Sequence, residues 1–378
     1  MRRILIVIVL LAVGIPGGLF LTWDTQTRTL GNQLISDVTA AQKQVFNRTP
    51  PPRAPLHDNG YQCLGGMMDV TPSDLRPFSP GAASALEPFI TGQKPITELP
   101  PEVRARMLAI SPWASSLRAC GESLHLSWVD GLSPWAPVNQ PRLLKLGVAV
   151  PSLIEFTALE LRVLLADGQP EVALERCTQT WAAVTDQSHL GLAGALNARM
   201  AVRRLAPACG EALAKAPAEI RKQVAPQWAG LSSRLASAAE VVEAERLAGS
   251  LRVFAYVSDG PIRERLPGVV TAGPTDFMSV MRVGRTWRKW DAAMRKLAAE
   301  AAGPGRDAAS AAVDALVPSQ YAGALRAYDE TPVLLGLLAD LAAGSDKPLP
   351  AGAKKTEQGL EYDNGQQKLI IPLAAAAP

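Results

Sequence analysis

The residue types best suited to catalysis lie close together between positions 122 and 130. Glu122 and His125 are three positions apart, so on a helix they would share a face and the carboxylate could orient the imidazole. Asp130 could join them only where the chain bends, as the nearby Gly131 and Pro134 allow. An exposed histidine with carboxylate neighbours is the commoner explanation. No hydrolase elbow, P-loop, dinucleotide fingerprint, H-E-x-x-H or S-x-x-K motif occurs, so we predict no catalytic residue and favour a non-enzyme.

Three of the eight tryptophans lie in a stretch that Pro and Gly interrupt repeatedly, at Trp113, Trp128 and Trp135. Together with His125 they are our candidate ligand-binding residues, because ligand pockets combine aromatic walls with a few polar groups. The alternative is that these rings pin irregular backbone to a neighbouring core.

A basic cluster follows later in the chain, on a predicted helix over 276–302. Its apolar stripe carries Trp287 and Trp290, and the basic residues are Arg282, Arg285, Arg288, Lys289, Arg295 and Lys296. With Asp291 they give a local charge of about +5 over roughly fifteen residues, which suits anionic lipid headgroups or an acidic protein partner. The alternative is a core helix whose exposed side is merely basic.

Composition narrows the classes of function. The chain has 378 residues, 48% of them hydrophobic and 19% charged, which indicates a folded protein of about two to three units. The net charge of +3 is too small and too dispersed to predict nucleic-acid binding. Three His and four scattered Cys predict neither a metal site nor a cofactor.

The N-terminus indicates a membrane anchor. Arg2 and Arg3 precede an uncharged run over 4–23, which as a helix would span about 30 Å, the thickness of the hydrocarbon core. A cleaved signal peptide is the alternative, but no Ala-x-Ala-like site follows. We expect residues 1–3 in the cytoplasm and, for a bacterial host, a single-pass inner-membrane protein with its bulk in the periplasm.

The four cysteines agree with an oxidising compartment. They are even in number and show no C-x-x-C spacing. We favour the pairs Cys63–Cys120 and Cys177–Cys209, the second because a helical hairpin turning near Gly191 would bring its sulfurs level. Four buried free thiols remain the alternative.

Apolar spacing predicts an all-α fold. We expect an amphipathic stalk helix over 24–46, a Pro-rich linker over 47–60, a helical domain over 61–346 and a β-hairpin with a tail over 347–378. Within the helical domain, the predicted helices are 82–91, 101–109, one starting at Pro151, one starting at Pro170, 192–215, one from Pro217 toward Tyr256 that is bent or broken at Pro226, 276–302, 307–317 and 321–343. In the hairpin, an Asn364-Gly365 turn is expected to pair Glu361 with Lys368 and Leu360 with Leu369.

The heptapeptide Gly168-Gln169-Pro170-Glu171-Val172-Ala173-Leu174 resembles the turn and second-helix start of a tetratricopeptide unit. The likeness covers one hairpin of about 35 residues, without a second copy at the 34-residue step that defines such repeats. The surrounding helices resemble uncharacterised, N-terminally anchored, all-helical bacterial envelope proteins. This resemblance implies a fold and a location but no reaction.

These patterns favour a membrane-anchored scaffold or adaptor of the cell envelope. The alternative is an envelope enzyme or small-ligand binder that uses the Trp-rich region 110–140. A purely structural spacer, whose anchor and stalk self-associate, is a third hypothesis.

Overall fold

The structure is a computed structural model that describes residues 25–26, 29–34, 36–37, 40, 63, 66–67, 69–79, 81–122, 140–259, 274–316, 320–357, 359–365 and 367–372. Among the helices of these residues, none combines the length and the apolarity that crossing a bilayer requires. Three predicted segments lie outside the described residues: the N-terminal end over 1–3, the anchor over 4–23 and the linker over 47–60. The described residues of the predicted stalk are helical.

The fold is mostly helical, as the apolar spacing predicts. The longer helices are α1 (Pro101–Ala119), α2 (Gln140–Ala166), α3 (Pro170–Thr185), α4 (Leu192–Lys215), α5 (Ala218–Arg234), α6 (Ala238–Asp259), α7 (Pro274–Glu300), α8 (Arg306–Asp314) and α9 (Tyr321–Ala343). The bounds of α4 and α9 are those predicted. Helix α1 continues ten residues beyond its predicted end, and 82–91 forms two short turns, Ala83–Leu86 and Glu87–Ile90.

Two predictions at prolines differ from the structure: the helix start predicted at Pro151 is wrong, and of the predicted bend or break at Pro226 the break is absent. Pro151 lies inside α2, and Pro226 lies inside α5. A proline in a helix interior removes one hydrogen bond, and tertiary packing offsets that loss here. The real break after α5 is marked by Ser237, whose hydroxyl accepts from the Glu240 N–H (3.3 Å) while the Glu240 carboxylate accepts from the Ser237 N–H (2.7 Å). This reciprocal capping box begins α6.

Contacts divide the chain into two compact units. Unit 1 draws on 1–50 and Val242–Tyr321, and unit 2 on Pro51–Val241 and Ala322–Pro378. In unit 1, α7 packs against α8 and against α6, and Leu34 of the N-terminal helical residues is buried beside Gly284.

The centre of unit 2 is the pair of helices α3 and α4. Their connection contains Gly191, which has φ +101°, a backbone region that favours glycine. The predicted Cys177–Cys209 disulfide joins the two helices, and both cysteines are fully buried. Trp181 of α3 meets Trp228 of α5 edge to face, with ring centroids 4.9 Å apart. The second predicted disulfide, Cys63–Cys120, is also present.

The C-terminal segment forms a three-stranded antiparallel sheet rather than a hairpin. Strand β2 (Gly359–Asp363) lies between β1 (Ala353–Thr356), which the sequence analysis missed, and β3 (Lys368–Ile371). The exposed, Lys-rich β1 lacks the apolar alternation that marks a strand.

The predicted register of the hairpin is wrong by two residues. Leu360 pairs with Ile371 rather than Leu369, and the turn holds four residues because Asp363 pairs with Lys368. The physical reason is burial: the observed register places Leu360 and Ile371, both fully buried, in the core of unit 2. Glu361 still binds Lys368 diagonally, at 2.7 Å, and also binds Lys354 of β1 at 3.0 Å.

Candidate functional site

The region 110–140 contributes one described candidate residue. Trp113 lies on α1 with only 7% of its surface exposed, and its indole N–H has no hydrogen-bond partner in the part of the chain that the structure describes. The other candidates of this region lie outside the described residues: Trp128, Trp135, His125 and Asp130. The aromatic ligand cleft therefore stays a prediction. In the part of the chain that the structure describes, no group of three His, Cys, Asp or Glu residues could hold a metal ion.

The apolar side of α7 belongs to the core of unit 1. Met294 and Leu297 are fully buried, and the Trp290 ring lies against Gly249, where an added Cβ would approach it to 2.2 Å. The Trp287 indole N–H donates to the Ser250 hydroxyl at 3.2 Å. Both tryptophans are therefore used in packing and are not presented to a lipid surface.

A buried charge cluster joins α6 to α7. Arg246, 3% exposed, donates to Asp291 at 2.8 Å and to Glu243 at 2.9 Å. The Asp291 carboxylate also accepts from Arg295 at 2.8 Å. Because breaking a buried ion pair leaves an uncompensated charge, this cluster fixes how the two helices pack.

The opposite side of α7 is cationic, and all six predicted basic residues are exposed. Two of them are held by carboxylates within unit 1: Arg288 binds Asp37 at 2.7 Å, and Arg295 binds Asp291. For the other four, no carboxylate of the described residues lies within ion-pair distance. We call these four the basic face: Arg282, Arg285, Lys289 and Lys296.

The basic face is a narrow stripe. At 3.6 residues per turn, its four residues fall within roughly 60° of the circumference of α7, over a length of about 21 Å. By the same angles Arg288 and Arg295 point about 60° and 80° away from one edge of this stripe, and the buried Trp290 and Trp287 point about 80° and 140° away from its other edge. The structure therefore separates the internally paired cations from those that face outward.

Unit 2 contains a second candidate surface, which the sequence analysis did not predict. It is a groove of about 970 Å³ between α2, α4, the turn Glu87–Ile90 and β3. Its cationic side chains are Arg162, Arg199, Arg203, Arg204 and Lys368. Its apolar wall is formed mainly by Ile90, Leu196, Met200, Pro207, Leu369 and Ile370. We call it the arginine groove.

Some of these cations are fully matched by carboxylates. Arg204 donates to Glu87 at 2.5 Å and to Glu155 at 2.9 Å, and its hydrogen bond holds the pKa of Glu87 below the usual range. Arg162 donates to Glu211 at 2.6 Å.

Arg199 and Arg203 are matched less completely, since they share one buried carboxylate, Glu330. Arg203 is 2.8 Å from it, whereas Arg199 is 3.4 Å away, and the buried Arg199 Nε has no hydrogen-bond partner among the described residues. The group of Arg199, Arg203 and Glu330 therefore carries one net positive charge, whereas the neighbouring group of Arg204 with its two carboxylates carries one net negative charge. One feature of the sequence could have indicated this cluster: Arg199 is followed by Arg203 and Arg204 about one helical turn later, on the Ala-rich α4.

Comparison with protein-family models, with curated proteins and with solved structures found no match. The resemblance to anchored bacterial envelope proteins and to a tetratricopeptide hairpin therefore stays a prediction.

Proposed function

We propose that this chain is a membrane-anchored extracytoplasmic adaptor that binds an acidic surface of a partner protein through the basic face of α7. The observation that carries the proposal is the stripe of four exposed cations without a carboxylate partner among the described residues. Electrostatic complementarity of this kind steers association and selects partners by charge.

The proposal explains why the charges are concentrated. Arg285 and Lys289 are four positions apart on a helix, an arrangement that disfavours the helix by a few tenths of a kcal/mol per like-charge pair. An acidic partner relieves this repulsion. A merely solvated helix surface would keep the same penalty without any compensation.

A protein partner is favoured over a lipid surface. A helix that lies in a membrane interface needs an exposed apolar face beside its basic one. On α7 the tryptophans of the apolar side are buried, with Trp287 and Trp290 5% and 8% exposed, and one methionine, Met278, is exposed (56%), which is too little apolar surface for such a face. Membrane attachment is instead assigned to the predicted anchor over 4–23. The helical residues that follow it pack on α7 through Leu34, which ties the chain after the anchor to the folded unit 1.

The partner is tested by charge reversal at residues that make no internal ion pair. Arg285→Glu/Lys289→Glu removes the centre of the basic face. Lys222→Glu/Lys355→Glu, at exposed positions of unit 2, changes the net charge equally and is the matched control. Each full-length chain is purified from native membranes in mild detergent, and co-purifying proteins are quantified by mass spectrometry.

We expect an acidic protein at near-stoichiometric yield with the wild type and the control, and at least a tenfold loss with the basic-face variant. The yield with the wild type should also fall as salt is raised, because exposed charges are screened. Equal recovery from both variants would show that the basic face is only a solvated helix surface.

The anchor is tested separately. We expect the chain to stay with the membrane pellet after an alkaline carbonate wash and to retain its first residues by mass spectrometry. Release into the supernatant, or a mature chain that starts after residue 23, would contradict the anchored part of the proposal without affecting the basic face.

A further inference from the structure

The outer edge of β3 offers main-chain groups to the arginine groove. The Asn364 N–H donates to the Gln367 carbonyl across the turn, and hydrogen-bonded and non-hydrogen-bonded pairs alternate along an antiparallel ladder. The main-chain groups of Lys368 and Ile370 therefore point away from β2. The Lys368 carbonyl accepts from Arg203 at 3.3 Å, which agrees with this orientation.

Three of these edge groups have no protein partner among the described residues: the N–H of Lys368 and both the N–H and the carbonyl of Ile370. An exposed strand edge is a template for another extended chain, which supplies the complementary donors and acceptors. Leu369, Ile370 and Pro372 of this segment all line the groove, so a chain paired with the edge would lie inside it.

The wall opposite the edge determines which chain fits. Arg199 and Arg203 share one carboxylate, so the part of the groove around Arg199 is locally positive and favours a carboxylate. Met200 lies on the same wall, and the rest of the lining is mainly apolar. Side chains of an extended peptide alternate between its two faces, so acidic and apolar residues at alternate positions would meet the two kinds of surface.

We propose that the arginine groove binds an extended acidic segment of a partner protein, which pairs with the outer edge of β3 and places a carboxylate against Arg199. A peptide is favoured over an anionic lipid because a lipid would leave the Ile370 N–H and carbonyl without partners. This site lies in unit 2 and does not depend on the basic face of α7, so the adaptor would bind two partners or two segments of one partner.

The test begins with a displayed library of random heptapeptides selected on the full-length chain in detergent micelles. We expect enrichment of sequences with Asp or Glu at alternate positions. The binding of one enriched peptide, labelled with a fluorophore, is then measured by fluorescence anisotropy.

Two variants locate the binding. Ile370→Pro removes an N–H that faces away from β2, so the ladder is kept while the pairing edge is blocked. Lys355→Pro is the matched control, because Lys355 faces outward on the other edge of the same sheet, away from the groove. We expect about a tenfold weaker Kd for Ile370→Pro and no change for Lys355→Pro.

Arg199→Gln tests the charge independently of the sheet. It keeps a polar side chain and leaves Glu330 with Arg203 and Asn364 as partners. We expect at least a tenfold weaker Kd for acidic peptides and no change for the same peptides with Asn and Gln in place of Asp and Glu.

Selection of non-acidic sequences, or equal affinity in Arg199→Gln and the wild type, would overturn the proposal. So would a phospholipid or fatty acid that co-purifies with the wild type in a one-to-one ratio and is lost from Arg199→Gln. Unfolding curves of each variant show whether a loss of binding reflects a loss of fold.

Discussion

Removal of the Cys177–Cys209 disulfide should lower the free energy of unfolding of unit 2, by an amount that depends on the conformational entropy of the unfolded chain. The bond connects α3 to α4, and both cysteines are fully buried. The double variant Cys177→Ala/Cys209→Ala removes the crosslink while keeping small apolar side chains in the core. Its main effect is therefore on the unfolded chain, which gains conformational freedom.

The magnitude follows from the length of the closed loop. The two cysteines are 32 positions apart, and loop-closure entropy for that length gives about 3.7 kcal/mol of stability at 25 °C. The same relation gives about 4.2 kcal/mol for the 57-position separation of Cys63 and Cys120. Small domains are stable by about 5–15 kcal/mol, so either loss is a large fraction of the total.

The assay is urea unfolding of the full-length chain, followed by tryptophan fluorescence. Trp181 and Trp228 lie in the core of unit 2, so the fluorescence change includes the unfolding of unit 2 together with that of unit 1, where Trp287 and Trp290 lie. Cys63→Ala/Cys120→Ala is the comparison variant, and we expect it to lose slightly more stability. Thiol titration of the unfolded wild type should detect no free thiol, because the described cysteines are all paired.

A loss below about 1 kcal/mol for Cys177→Ala/Cys209→Ala would refute this reasoning. With no free thiol in the wild type, such a result would mean that the unfolded chain stays compact without the crosslink. With free thiols present, it would mean that the bond does not form in the cell, and the assignment to an oxidising compartment would fail with it.

Two further predictions concern close packing and a buried phenol. In the same urea assay, Gly210→Ala should destabilise unit 2 by about 1–3 kcal/mol, because an added Cβ would lie 2.2 Å from Ile371. Gly230→Ala is the control: an added Cβ there would meet nothing within 4 Å, so we expect a neutral or stabilising effect of up to about 1 kcal/mol. Burial raises the pKa of Tyr328, which donates to the Ala236 carbonyl at 2.7 Å, from 10.0 to about 12. The unfolded tyrosine loses its proton first, so stability should fall by about 2 kcal/mol as pH rises from 10 to 12, and Tyr328→Phe should abolish this component. The chain has five tyrosines, so the titration of Tyr328 is taken as the difference in alkaline absorbance between the folded wild type and folded Tyr328→Phe, and a difference that titrates near 10 would contradict the prediction.

Helix positions could be predicted where apolar spacing and terminal signals agree. Leu192–Lys215 follows a connection that contains Gly191, and its apolar stripe is unbroken, so both ends are clear. The errors occur at prolines: Pro151 predicts a helix start and Pro226 a bend or break, but packing keeps both inside continuous helices. The Ser237–Glu240 capping box was present in the sequence and marks the true break.

The arginine groove could not be predicted because it depends on long-range packing. Its walls come from segments up to about 280 positions apart, from Glu87 to Lys368. The match between Arg199 and the distant Glu330 decides where a positive charge remains, and no local pattern encodes that match. Which main-chain groups of β3 face away from β2 depends on the strand register. The Asn-Gly turn signal alone predicts a register that is wrong by two residues.

The pairing of the basic residues on α7 also depends on long-range packing and could not be predicted from the sequence. Sequence spacing identified six basic residues on one helix, but it could not show that Asp37 binds Arg288 or that Asp291 binds Arg295 and Arg246. This distinction determines which variant is informative. Reversal of Arg288 or Arg295 would break an ion pair within unit 1, so a loss of partner binding could come from a loss of fold. Reversal of Arg285 and Lys289 breaks no ion pair among the described residues, and a loss of binding there would have to come from the surface itself.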